Sequence, residues 1–235
     1  SPASLKNIDH SQWDRILGKY VSSQEGVNFF AYSKVSEADK KSLKAYIQSL
    51  SSQDPRELNS KESMAYWINA YNAITIDVVL DHYPVKSIRE IKSGIFSSGP
   101  WKTDIFEIQG QHLSLDNIEH AILRPVFKDP RVHYAINCAS YSCPNLAKKA
   151  FTGANLESLL NQGAREYINH SRGVSFEADG DLKLSSIWNW FKEDFGTKES
   201  KIIEHIKKYA NPSLKSQLDS LSGSVSYDYS WDLNE

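Results

Sequence analysis

The chain has 235 residues, 40% of them hydrophobic and 24% charged, with 27 Lys and Arg against 29 Asp and Glu. That length suits one large domain or two small ones, with enough chain to bury a substantial core. The near-neutral balance argues against a nucleic-acid binder, which is usually basic with a clustered patch, and no apolar run approaches the roughly 20 residues that cross a bilayer.

Trp13, Ile16, Leu17 and Tyr20 fall at helical spacing and are followed by Phe29-Phe30. Ser36 caps an amphipathic helix running to Leu50, with Leu43, Ile47 and Leu50 on one stripe. Asn59 to Tyr83 is the strongest helix: Asn59 and Glu62 form a capping-box pattern, and Pro84 marks the end. Its middle is apolar nearly all round, which predicts a central helix covered on several sides. Ile105 to Leu113 alternates around Gln109-Gly110 as a hairpin. Asp116 to Leu123 reads as a short helix, with Asp116 and Glu119 as its capping box and Pro125 as its stop.

Val132 to Asn137 reads as a buried strand, and Asn155 to Ile168 as a helix. Val174 to Leu184 folds about Asp179-Gly180 as a second hairpin. Ser186 to Phe195 is an aromatic-rich helix with Gly196 at its C-cap, and Lys201 to Tyr209 is the final helix. No repeat or linker interrupts the chain. The expectation is a single α+β domain over residues 1–235, with a central buried helix packed with other helices around a small, mostly antiparallel sheet. The chain opens on Ser1-Pro2-Ala3 without an initiating Met. That suggests a removed signal segment and an extracytoplasmic location, periplasmic or secreted.

Several segments carry a resemblance. They are Tyr66-Trp67-Ile68-Asn69-Ala70-Tyr71-Asn72-Ala73, then Ser114 to His120 with Ile122-Leu123-Arg124, and Asp129 to Cys138 continuing into Ser142-Cys143-Pro144. The closing Tyr229-Ser230-Trp231-Asp232-Leu233-Asn234 is a fourth. Together, from about Trp13 to the end, the chain resembles the bacterial domain of unknown function 547 family. The resemblance implies a similarity to cysteine-hydrolase-like proteins with a Glu, His and Cys constellation, which by motif falls on Glu119, His133 and Cys138.

The residues can be weighed on their own chemistry. A cysteine nucleophile needs a base to take its proton and a third group to orient that base. Cys138 ends an apolar run and opens the small-residue turn Ala139-Ser140; His133 lies five residues upstream and Glu119 on the preceding helix. Types and order suit a triad with His133 between the other two. Strand alternation opposes it, because positions 133 and 138 would point to opposite faces. A bulge or turn near Asn137 is therefore required, and without it Cys143 is the competing nucleophile.

Cys138 and Cys143 are the two cysteines of the chain. They are too few for a disulfide scaffold, and for a zinc site without help from scattered histidines, so no metal and no cofactor is expected. They can also form a disulfide closing a short loop, worth roughly 2 kcal/mol by loop-closure entropy. Redox chemistry by the pair is a weaker reading, since the spacing is not Cys-x-x-Cys. Asn69 and Asn72 share one face of the buried helix. Such amides either bond a neighbouring loop or orient substrate. Trp188, Trp190, Phe191 and Phe195 read as core, and Arg131 as a surface charge.

The functional expectation is a thiol-dependent hydrolase or acyl transferase acting on a peptide or small amide-containing ligand, with no nucleic-acid partner. Its rival is a non-catalytic binding module in which Cys138–Cys143 is a structural disulfide.

Overall fold

The structure is a computed structural model that describes residues 7–235. It opens with helix α1 (Ser11–Tyr20), whose Trp13, Ile16, Leu17 and Tyr20 are buried. A hairpin that the sequence reading missed follows: β1 (Val21–Gln24) pairs with β2 (Val27–Phe30) in antiparallel register, Val21 opposite Phe30. The turn uses Glu25 and Gly26, both at positive φ. Helix α2 (Glu37–Ser51) starts where expected, with the Ser36 hydroxyl accepting from the Asp39 amide.

Helix α3 (Ser60–His82) is the centre of the fold, and it is buried from Met64 through Ile76 without a break. Asn59 caps it by accepting from the Glu62 amide, while the Glu62 carboxylate accepts from Gly153 N–H instead of completing a capping box. The expected hairpin about Gln109-Gly110 is present as β3 (Phe106–Ile108) and β4 (Gln111–Leu113), with both turn residues at positive φ.

The next stretch departs from expectation. Asp116 makes no side-chain cap bond, and the reciprocal pair is Ser114 with Asn117. A π-helical turn (Asn117–Leu123) runs directly into α4 (Arg124–Phe127), so Pro125 sits in the first turn of a new segment rather than ending the old one. Lys128, in the left-handed region, ends it. The expected strand Val132 to Asn137 does not form. Asp129 caps a 3₁₀ helix (Pro130–Tyr134), and the chain then becomes an irregular loop. With no strand there is no face alternation, and the geometric objection to bringing residues 133 and 138 together disappears.

Helix α5 (Leu156–Ile168) is as expected. So is the hairpin of β5 (Val174–Phe176) with β6 (Leu182–Ser185). The aromatic helix is split into α6 (Ile187–Trp190) and a 3₁₀ turn (Lys192–Phe195) that Gly196 ends at positive φ. Helices α7 (Glu199–Lys207) and α8 (Pro212–Asp219) lead to β7 (Val225–Asp228). β7 runs parallel to β6, with Leu184 opposite Tyr227. The three small sheets are thus antiparallel apart from this pairing, and the class is α+β.

Two apolar clusters hold the chain together, one around α3 and one gathering α5, the β5–β6–β7 sheet and α7. The segment from 130 to 146 lies between them. It gives Val132, Ala135, Ile136 and Ala139 to the first and Tyr134 to the second. Among the described residues no helix is long and apolar enough to cross a membrane.

Candidate active site

Where the two clusters meet, a cleft of about 190 Å³ opens to solvent. Glu119, His133, Cys138 and Cys143 all line it. The backbone that places them is fixed from behind by the central helix. Asn72 donates from Nδ2 to the Ala135 carbonyl at 2.9 Å and accepts from the Asn137 amide at 2.8 Å. Asn69 does the same for Phe151, donating to its carbonyl at 2.7 Å and accepting from its amide at 2.9 Å. Neither amide reaches the cleft. Both serve the neighbouring loops, and Asn72 holds the one that carries Cys138.

Cys138 and Cys143 are joined as a disulfide, with their Cα atoms 6.4 Å apart. Cys138 is half-buried, whereas Cys143 is 4% exposed. Two hydroxyls sit against both sulfurs. Tyr229 Oη lies 3.2 Å from the Cys138 Sγ and 3.1 Å from the Cys143 Sγ, and Ser140 Oγ lies 3.1 and 3.0 Å from the same atoms. The hydroxyls are also 2.7 Å from each other. Burial holds the Tyr229 phenol well above its ordinary range, so it stays protonated. Ala139, between Cys138 and Ser140, has φ 63°, a left-handed conformation that a non-glycine residue adopts only when its surroundings impose it.

His133 is 3% exposed and stacks on Phe191, with ring centroids 4.3 Å apart. Its Nε2 is 2.6 Å from Asp194 Oδ2. Asp194 in turn receives both Nε (2.6 Å) and Nη2 (3.1 Å) of Arg124. Burial opposes ionisation of Asp194, but the bonds from His133 and Arg124 outweigh it and hold its carboxyl well below the usual range. Burial lowers the His133 pKa, and Asp194 only partly offsets this. The consistent state is a neutral imidazole that donates from Nε2 to a carboxylate already neutralised by Arg124. Nδ1 makes no hydrogen bond with the described residues.

The role of ring partner that the sequence assigned to Glu119 is thus filled by Asp194, on the 3₁₀ turn after α6. No hydrogen bond joins Glu119 to His133. Glu119 is 7% exposed and accepts from the Tyr71 hydroxyl at 3.3 Å. Burial pushes its pKa up to about 7, aided by Asp116 and opposed by Arg124. It is therefore a carboxyl that is partly neutral at neutral pH and faces a cleft. Arg131, read as a surface charge, is mostly buried in ion pairs with Asp129 and Glu157.

The mouth of the cleft is aromatic. Trp190, Tyr229, Trp231 and Trp101 line one side, with Trp190 and Trp231 stacked at 5.7 Å and Trp190 44% exposed. Trp188 and Phe195 are core, as the sequence indicated, but Trp190 and Phe191 belong to the cleft. Of the groups the sequence reading did not single out as site residues, Arg124, Tyr229 and Trp231 stood within the motifs that carried the resemblance. Asp194 had no local signal. Among the described residues no cluster of His, Cys, Asp and Glu has the arrangement of a metal site.

Residues 55–168, just under half of the chain, match the model of a family described as a protein of unknown function, DUF547, and this match supports membership of that family. No curated protein and no solved structure matches the chain.

Proposed function

We propose that this chain, which carries the DUF547 segment over residues 55–168, is a thiol-dependent hydrolase or acyl transferase acting on a peptide or other amide. The observation that supports the reading is one cleft lined by Cys138 and by His133, a buried imidazole with its Nε2 committed to Asp194 and its Nδ1 left for proton transfer.

In the reduced protein, Nδ1 of His133 takes the Cys138 thiol proton. The sulfur then forms a bond to the substrate carbonyl carbon. The carbon–nitrogen bond breaks as His133 returns the proton to the departing amine, leaving a thioester on Cys138. Water, or an acceptor amine, gives a proton to His133 and attacks the thioester, and the carbon–sulfur bond breaks as His133 passes that proton to the Cys138 sulfur. Asp194 and Arg124 act through the imidazole by fixing its tautomer. Glu119, in its neutral form, supplies a hydrogen-bond donor on the cleft wall where negative charge develops on the carbonyl oxygen.

The test is hydrolysis of a panel of fluorogenic peptide amides by the fully reduced protein. Cleavage is expected to disappear in Cys138→Ala and in His133→Ala, with a thioester adduct on Cys138 detectable by mass spectrometry. Cleavage that survives Cys138→Ala overturns the reading.

The disulfide itself favours one rival, a binding module in which the bond is purely structural. The two differ in what reduction does. The hydrolase gains a fast-alkylating Cys138, while the binding module gains two ordinary, slow thiols.

A further inference from the structure

We propose that the Cys138–Cys143 disulfide is a reversible latch on the cleft: oxidation caps Cys138, and reduction by a dithiol releases it as a reactive thiol in the cleft that His133 also lines. The proposal rests on the reading of Cys138 as the nucleophile, and it assigns to Cys143 the part of a resolving sulfur rather than of a structural staple.

The first argument is redundancy. A structural disulfide is useful where nothing else closes the loop, but here non-covalent bonds already close it. Asn137 Nδ2 donates to the Pro144 carbonyl at 2.8 Å, and its Oδ1 accepts from Ala139 N–H at 2.8 Å. One side chain therefore ties together residues on both flanks of the Cys138–Cys143 bond. The C-terminal segment clamps the same loop from outside: Tyr141 N–H donates to the Asp232 carbonyl, Ser142 N–H to the Ser230 carbonyl, and Asn234 N–H to the Ala139 carbonyl. Tyr167 Oη holds the Ser142 carbonyl at 2.6 Å. Breaking the sulfur–sulfur bond leaves all of these in place.

The second argument is the asymmetry of the sulfurs. Cys138 is half-buried on the cleft and Cys143 is almost fully enclosed. An incoming thiolate reaches Cys138 more readily, which leaves Cys143 as the internal sulfur that re-forms the bond. The third is that the surroundings suit both states. Ser140 Oγ, Tyr229 Oη and the Cys138 N–H, 3.1 Å from the Cys143 Sγ, are already arranged around the sulfurs. On reduction they become hydrogen-bond partners for a thiol or thiolate.

The exchange balances as a two-electron step. Two thiols of a dithiol reductant become its disulfide, and the protein disulfide becomes two thiols, with both protons supplied by the reductant. Reoxidation by a disulfide of the same class reverses it.

The experiment equilibrates the whole chain in mixtures of reduced and oxidised dithiothreitol. Each sample is split for free-thiol counting by mass spectrometry, iodoacetamide reaction at Cys138 near neutral pH, and hydrolysis of a fluorogenic peptide amide. Thiol content and Cys138 reactivity should rise on one curve, with reduced Cys138 alkylated at least about 10-fold faster than Cys143. The near-UV spectrum should persist, with Tm falling by less than about 10 °C on reduction. Cys143→Ser should make Cys138 reactivity independent of the dithiothreitol mixture. Loss of the near-UV spectrum on reduction would show a staple and overturn the latch, as would a Cys143→Ser protein whose Cys138 still needs reductant. A latch that follows this curve while no amide is cleaved overturns the hydrolase reading alone.

Discussion

His133 and Asp194, 61 residues apart in sequence, share a 2.6 Å hydrogen bond, and Arg124 bonds both oxygens of the same carboxylate. The arrangement fixes which imidazole nitrogen carries the proton. Asp194→Asn removes the charge that favours the Nε2–H tautomer and costs Arg124 its bidentate ion pair. Reactivity of the reduced Cys138 should fall by about 10- to 1000-fold, by analogy with tautomer loss in other nucleophile–histidine–carboxylate systems. Asp194 acts to raise the His133 pKa, so its loss lets burial lower that pKa further. The acid limb of the pH–rate profile should then move to lower pH, and nitrogen-15 NMR should report a changed His133 tautomer. A packing defect alone would move neither.

Glu119 makes stability depend on pH in a definite direction. Its folded pKa of about 7 lies above the ordinary carboxyl value, because burial opposes the charge and Asp116 adds repulsion, while Arg124 and the Tyr71 hydroxyl oppose the rise. Between the two values the folded state binds more protons than the unfolded chain. This contribution is therefore fully present below about pH 4.5 and is lost as pH rises through about 7. The difference in wild-type stability from pH 5 to pH 8 attributable to Glu119 is on the order of 3 kcal/mol. Glu119→Gln should abolish that component. Urea denaturation of both proteins at several pH values gives the difference directly, and parallel curves would show that Glu119 titrates normally.

Asn72 connects the central helix to the nucleophile's loop. Asn72→Ala leaves the Ala135 carbonyl and the Asn137 amide without their partner and should cost about 1–3 kcal/mol. Asn72→Asp should cost more, because it keeps one acceptor, loses the donor and places a charge at a site 2% exposed. Chemical denaturation measures both. If the loop carries the site, reduced Cys138 should also alkylate more slowly in Asn72→Ala than in wild type at equal folded fraction.

The sequence made the central helix legible because Met64 to Leu80 is too apolar to lie anywhere but inside, and because Asn59 and Pro84 bracket it. The hairpins at Gln109-Gly110 and Asp179-Gly180 were legible because those turns need residues that accept positive φ. The Val132 to Asn137 segment was not. A short apolar run is equally compatible with a strand or with a 3₁₀ turn wedged between two clusters. The deciding interactions, such as Tyr134 with His205 and Trp188, come from far along the chain. The same non-locality hid Asp194, which sits in a charged, ordinary-looking stretch and acquires meaning only through folding. It also hid the division of the aromatic run, where Trp188 turns inward and Trp190 outward on one short helix.

That division gives the last prediction. Trp188 is fully enclosed, packs on Tyr134 and Tyr167, and donates its indole N–H to the Tyr134 hydroxyl at 3.1 Å. Trp190 is 44% exposed and leans on Tyr229 and Trp231 at the mouth of the cleft. Truncating the first removes a buried ring and leaves a cavity, so Trp188→Ala should cost about 3–5 kcal/mol. Truncating the second removes a ring that is just over half buried and leaves no enclosed cavity, so Trp190→Ala should cost less, about 1–2 kcal/mol. On the hydrolase reading the order reverses for function. An exposed indole on a cleft wall is a stacking surface for whatever enters, and its loss should raise KM for a peptide amide by about 5- to 10-fold with kcat little changed. Trp190 lines the same cleft as Cys138, so its fluorescence should also respond to substrate binding in Cys138→Ala, where no turnover intervenes. A Trp190→Ala protein with unchanged KM and an unchanged fluorescence response would place the ligand elsewhere.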